Sequence, residues 1–192
     1  LTHLHADHSG AACHADGTPR FPNARYHVHP EDWSFFATHR TPDDFTGRFA
    51  MAGLEALGAL DLDPSDHEIV PGLSVHHAPG HTPGSMGFII PVLDRGERHV
   101  AALFGGSWLT PGLLNDEAMK TYIASVAHFR QATIDAGADA WLQNHPLMVP
   151  FQDWLTRLSS RGRGAAHPFV VGRDEYQRFL DVIEGCSRIA LA

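Results

Sequence analysis

Cysteine is nearly absent from this 192-residue sequence, with Cys13 and Cys186 the only two. Neither belongs to a paired zinc motif. A disulfide between them would require the helix around Cys186 to return to the loop around Cys13, which spacing alone does not establish. No apolar run approaches the ~18 residues of a membrane span, so none is expected. Positive charge is short: 14 Lys and Arg against 22 Asp and Glu give a formal net charge of −8. That leaves no basic footprint for nucleic acid. There is no Gly-x-Ser-x-Gly elbow and no glycine loop of the phosphate-cradling kind, which removes support for serine hydrolases and NTPases. No internal repeat and no second domain are visible. Hydrophobic content of 43% and charged content of 19% are ordinary for a globular protein, and the length suits one domain with a sizeable core.

Histidine, by contrast, is abundant, at 15 residues, and it is concentrated where the chain opens: Leu1-Thr2-His3-Leu4-His5-Ala6-Asp7-His8-Ser9-Gly10. Leu1, Thr2 and Leu4 read as the end of a buried strand. In an extended segment His3 and His5 project to one face and can grip one metal. Asp7 and His8 are adjacent and need a turn to converge, which Ser9 and Gly10 supply, with a helix able to open there. Neutral imidazoles and a carboxylate are donors that Zn²⁺ prefers, and two pairs with different directions suggest two ions. Further histidines stand in loops just past apolar runs: His81 in Ala78-Pro79-Gly80-His81-Thr82-Pro83-Gly84-Ser85, and His145 in Gln143-Asn144-His145-Pro146. Loops at strand ends are where a rigid scaffold presents ligands.

His3-x-His5-x-Asp7-His8, Gly80-His81-Thr82-Pro83-Gly84-Ser85 and Asn144-His145-Pro146 together resemble the metallo-β-lactamase superfamily, and the resemblance covers nearly the whole chain. It implies an α/β fold, the four-layer αβ/βα sandwich, as a single domain over residues 1–192. The usual N-terminal half-sheet is missing from it, so a chain whose first part is not included is expected. It implies two Zn²⁺ ions per chain, the first on His3, His5 and His81 and the second on Asp7, His8 and His145. Many hydrolases of the superfamily place a bridging aspartate after a strand ending in Gly. Here the matching stretch, Leu103-Phe104-Gly105-Gly106-Ser107, has a serine. That departure, with Asp7 and His8 as second-site ligands, resembles the third subclass of metallo-β-lactamases. So, more weakly, does Pro168-Phe169-Val170-Val171-Gly172 before a long helix.

The chemistry so implied is a zinc-dependent hydrolase. Two zinc ions about 3.5–4 Å apart share a water and bring its pKa near neutrality, and the resulting hydroxide opens a cyclic amide. Asp7 would orient that hydroxide. Ser107 would serve as a hydrogen-bonding residue behind the ligands or as a simple turn residue, and Trp108 with Leu109 would line a substrate groove. The same chemistry on a lactone or other ester is the rival reading. A non-catalytic, metal-binding relic of the fold is a third. The expected partner is a small-molecule substrate, without nucleic acid or membrane. Resemblance to the lactamases implies a periplasmic or secreted setting.

Along the chain, Ala24–Val28 reads as a strand, and Pro30 opens a helix with acids in its first turn. Thr41 caps a second helix whose apolar face runs through Phe45, Phe49, Leu54, Leu57 and Leu60. Strands follow over Glu68–Val70, Leu73–His77, Met86–Pro91 and His99–Phe104, with a hairpin turn at Asp94-Arg95-Gly96-Glu97. Asn115–Ala136 reads as a helix with Met119, Tyr122, Ile123, Val126 and Phe129 inward. Asp139–Leu142 is a last strand, and Phe151–Leu158 and Arg173–Leu191 are helices. The other histidines (14, 27, 29, 39, 67, 76, 77, 99, 128 and 167) read as surface or satisfied core residues, with His76 or His77 near enough to His81 to reach the site rim.

Overall fold

The period-two patterns and turn residues place most of the sheet correctly. A computed structural model describes residues 1–14, 16–38, 53–64, 66–109 and 114–192. In chain order the elements are α1 (Ala6–Ser9), β1 (Tyr26–Val28), α2 (Pro30–Thr38), β2 (Leu60–Leu62), β3 (His67–Val70), β4 (Leu73–His77), β5 (Met86–Asp94), β6 (Glu97–Leu103), α3 (Asp116–Ala136), β7 (Ala140–Trp141), a 3₁₀ turn (Pro146–Met148), α4 (Phe151–Ser159) and α5 (Arg173–Leu191). One sheet runs β3-β4-β5-β6-β7, antiparallel except for the parallel pair β6–β7. A parallel pair needs a crossover, and α3 supplies it. The hairpin joining β5 and β6 turns at Arg95 and Gly96, both left-handed at φ 52 and 91, as a two-residue primed turn requires.

Asn115 caps α3, its side chain accepting from the Ala118 amide, and Gly137 ends it in the left-handed conformation. All five residues predicted for its inner face are buried. Three of them, Tyr122, Val126 and Phe129, pack with Tyr176, Phe179, Leu180 and Ile183 of α5 against Ile89, Ala102 and Phe104. A second unit pairs β1 with β2 in parallel and packs Tyr26, Val28, Trp33, Phe36 and Leu54 against Leu4. Two αβ units, each with its own apolar core, are the α/β architecture that the sequence implies. Among the described residues no helix is long and apolar enough to cross a membrane.

Two expectations need correction. Residues 1–4 form no named strand; they are strung between the two units, with the Leu1 nitrogen donating to the His27 carbonyl at 2.8 Å and the Met86 amide to the Thr2 carbonyl at 2.8 Å. The helical reading that ran through Leu60 fails at its end. Gly58, at φ 64, turns the chain, Leu57 is exposed, and Leu60 starts β2. Spacing alone extends the helix to Leu60, but that residue lies past a glycine stop. Thr41, Phe45 and Phe49 lie outside the described residues, as does His39. Cys13 and Cys186 are both free thiols, the first buried and the second exposed.

Candidate metal centre

The site lies at one end of the five-stranded sheet, where three loops meet the opening segment of the chain. These loops join β4 to β5, leave β6 and leave β7. His3, buried to 1% exposure, and His5 come from the opening segment. The chain then turns into α1, with the His8 and Ser9 amides donating to the His5 carbonyl at 3.0 and 2.9 Å. That turn swings Asp7 and His8 to a second point. The structure brings His3, His5 and His81 together as one group and Asp7, His8 and His145 as another, with the candidate donor atoms of each within 4.8 Å of one another. The rings of His3 and His8 lie 3.9 Å apart, so the two groups adjoin.

The donor geometry fits zinc. His5 Nδ1 faces His81 Nε2 at 3.1 Å, and His8 Nε2 faces His145 Nε2 at 3.3 Å. Nitrogens on one tetrahedral zinc, at 2.0–2.1 Å, stand about 3.3–3.4 Å apart. His3 Nε2 is buried and has no hydrogen-bond partner, which costs free energy unless a cation or a proton meets it. Protonation is disfavoured. Burial first, then the neighbouring imidazoles, push His3 far below the ordinary histidine range, and the same causes take His81 to about 3. Burial lowers His8 as well, against the pull of Asp7. His3, His8 and His81 are therefore held neutral, with lone pairs available to an ion.

Several residues that the sequence reading passed over orient these donors. The Thr2 hydroxyl lies 3.1 Å from His3 Nδ1 and 3.5 Å from His8 Nδ1. Accepting from those nitrogens would fix both Nε2 atoms as the ligating ones. Asp32, read from sequence as one of two acids favouring the start of α2, is fully buried. Its Oδ2 accepts from the Leu4 amide at 2.9 Å and its Oδ1 from the Gly84 amide at 2.6 Å. One carboxylate thus ties the His3–His5 segment to the His81 loop. Burial raises its pKa, and bonds from Thr82, Leu4 and Gly84 oppose the rise. Sequence offers no means of telling Asp32 from the exposed Glu31 beside it.

The loops need glycine where they close on the core. At Gly80, φ is 125 and a Cβ would stand 2.5 Å from the Tyr122 Cβ; at Gly105 a Cβ would stand 2.0 Å from the Met86 carbonyl oxygen. The Ser107 hydroxyl sits 2.7 Å from Gln143 Oε1 and 3.1 Å from Asn144 Oδ1. The Asn144 amide group donates to the Gly105 carbonyl at 2.7 Å. Ser107 therefore joins the turn after β6 to the loop that carries His145. Trp108 is 40% exposed, with its ring 5.5 Å from that of His145. With Leu109, Met148 and Cys186 it lines a largely apolar pocket of 260 Å³ between α3 and α5. His77 is bonded through Nε2 to the Pro83 carbonyl at 2.9 Å, and His76 bonds through Nε2 to the Ser74 hydroxyl at 3.1 Å, so neither joins the donors.

No family model and no curated protein matches the sequence. Solved structures do match. Native FEZ-1 metallo-β-lactamase from Legionella gormanii aligns over 88% of this chain at 18% identity and a TM-score of 0.60. BJP-1, a subclass B3 metallo-β-lactamase of Bradyrhizobium japonicum, aligns over 89% at 18% identity and 0.55. AidC, a dizinc quorum-quenching lactonase, aligns over 76% at 18% identity and 0.52. This chain spans 64% of the length of the FEZ-1 structure, 67% of BJP-1 and 55% of AidC.

Proposed function

We propose that this chain, whose fold is that of the metallo-β-lactamases and most like their third subclass, is a zinc-dependent hydrolase that opens a cyclic amide of the β-lactam type. The observation that carries this reading is the pair of adjoining donor groups, with the orphaned His3 Nε2 in the first. His3, His5 and His81 would hold one ion and Asp7, His8 and His145 the other. Bound there, the ions would supply a Lewis acid for the carbonyl and acidify a water to near neutral pH.

The chain's own residues then do the positioning. The Asp7 side chain is 63% exposed and stands 3.4 Å from His8, so beside its role as a ligand it offers an oxygen that would accept a hydrogen bond from the attacking water and orient it. Thr2 and Asp32 keep the imidazoles aimed. Trp108 and the apolar pocket behind it take the hydrocarbon part of the substrate and keep bulk water from that side. Ser107 carries no charge, and its proton is committed to the His145 loop. It leaves the centre without the bridging carboxylate, which favours the lactam over the lactone reading.

The test is turnover by zinc-loaded protein of a chromogenic β-lactam and of an aliphatic lactone, with His81→Ala as control. Lactam hydrolysis that needs zinc and disappears in the variant is expected. Lactone hydrolysis alone would move the assignment to a lactonase. Metal binding with neither activity would make this a binding module.

A further inference from the structure

Away from that centre, a second set of metal-type donors meets at the junction of the sheet with α3. Asp66 comes from the turn before β3, His76 from β4 and His128 from α3, and one donor atom from each lies within 4.8 Å of the others. The carboxylate is aimed: Oδ1 accepts from the His77 amide at 2.7 Å, which leaves Oδ2 to face both rings. Oδ2 stands 2.7 Å from His128 Nε2 and 3.4 Å from His76 Nδ1. His76 is aimed too. Its Nε2 pairs with the Ser74 hydroxyl at 3.1 Å, while its Nδ1 is buried without a hydrogen-bond partner. At 3.4 Å the approach to Asp66 is too long for a strong hydrogen bond, but it is close to the spacing, about 3.3 Å, of two ligands on one tetrahedral zinc.

Another histidine cluster among the described residues shows what a satisfied set looks like. His29 and His77 stack face to face at 3.8 Å and 9°. The ring nitrogens of His29 meet the Pro64 carbonyl and the Glu31 amide, and His77 Nε2 meets the Pro83 carbonyl. Parallel rings with bonded nitrogens do not converge on an ion. The rings of His76 and His128 are 6.3 Å apart and inclined at 58°, with Asp66 between them.

The geometry points to an additional binding site for a divalent transition ion on Asp66, His76 and His128, separate from the two donor groups at the sheet end. Two imidazoles and one carboxylate suit zinc, and the exposure of Asp66 and His128 leaves a coordination position for water. The His128 side chain is 52% exposed, so it can move the few tenths of an ångström that coordination would ask. An ion here would tie α3 to the sheet. One helical turn before His128, the Ser125 hydroxyl donates to the Pro79 carbonyl at 2.7 Å, so the same bracket steadies the loop leading to His81.

The experiment compares the chelator-stripped full chain with His128→Ala and Asp66→Asn, each dialysed against the same buffered zinc concentrations, with zinc per chain measured. Each variant is expected to hold one ion fewer than the parent once the parent is saturated. A failure of the main centre would lower all three proteins equally and leave that difference intact, so the two readings fail separately. Equal stoichiometry in parent and variants overturns the proposal. Nitrogen NMR of the unaltered chain gives an answer that does not depend on a variant folding. Zinc should shift His76 Nδ1 and His128 Nε2 while leaving the His29 nitrogens in place, and an unmoved His76 Nδ1 overturns the site.

Discussion

Ser107 and His145 show how differently two polar residues at one site act. His145 supplies a candidate donor from 137 residues beyond His8, facing His8 Nε2 at 3.3 Å. His145→Ala should therefore remove about one zinc per chain relative to the parent while His3, His5 and His81 still bind, as read by zinc analysis after dialysis. Retention of the full complement would remove His145 from the ligand set. Ser107 donates within the protein, to Gln143 at 2.7 Å, and is not placed as a ligand. Ser107→Ala should leave zinc content unchanged and slow turnover about 2- to 10-fold. That corresponds to one hydrogen bond of about 0.5–1.5 kcal/mol holding the His145 loop. Loss of a zinc in this variant would make the serine a ligand after all.

α2 does more than fill the second core. Its first turn presents Asp32 inward to two backbone amides from separate loops, and a buried amide left without an acceptor costs about 1–3 kcal/mol. Asp32→Asn cannot serve both with a charged acceptor. It should cost about 2–4 kcal/mol, a fall in melting temperature of roughly 5–15 °C for a domain of this size, together with weaker zinc binding. The adjacent Glu31 is exposed, and Glu31→Gln should stay within about 0.5 kcal/mol of the parent. Just before α2, buried His29 lies against His77, and burial first, then the His77 ring, depresses its pKa. The unfolded chain then binds the proton first as pH falls through about 6.5, so native stability is lost on acidification below that value. Urea midpoints at pH 7.5 and 5.5 should differ less in His29→Gln than in the parent, by at most about 1.4 kcal/mol per pH unit for this one group. An equal slope would show that His29 carries no such linkage.

A metal bound at these donors would couple to the stability of the whole chain. The donors come from the opening segment, the loop before β5 and the loop after β7, so a bound ion joins pieces that the unfolded chain keeps far apart. Each zinc site filled at 100 times its dissociation constant should add about 2.7 kcal/mol. Thermal melts with and without chelator should separate by several degrees, and His81→Ala should narrow the gap. Coincident melts would mean that the folded chain has no preference for zinc.

The spacing His3-x-His5-x-Asp7-His8 and the loops around His81 and His145 already marked in the sequence the candidate donors that the fold brings together. Ligand chemistry is local, and strand alternation dictates which neighbours share a face. The sheet from β3 to β6, its hairpin turn and the span of α3 were legible for the same reason, since period, caps and turn residues act within a few positions. What no local pattern could report was which of two neighbouring acids is buried. Asp32 holds the site because the fold brings Leu4 and Gly84 to it from 28 and 52 residues away. The end of the apolar stretch at Leu60 was likewise decided by pairing with Tyr26 in β1. His76 and His128, dispersed in sequence among histidines that read as surface or satisfied core, became neighbours of Asp66 only when α3 packed on the sheet. Long-range contact, which depends on the whole chain closing on itself, separates these residues from those that the sequence alone determined.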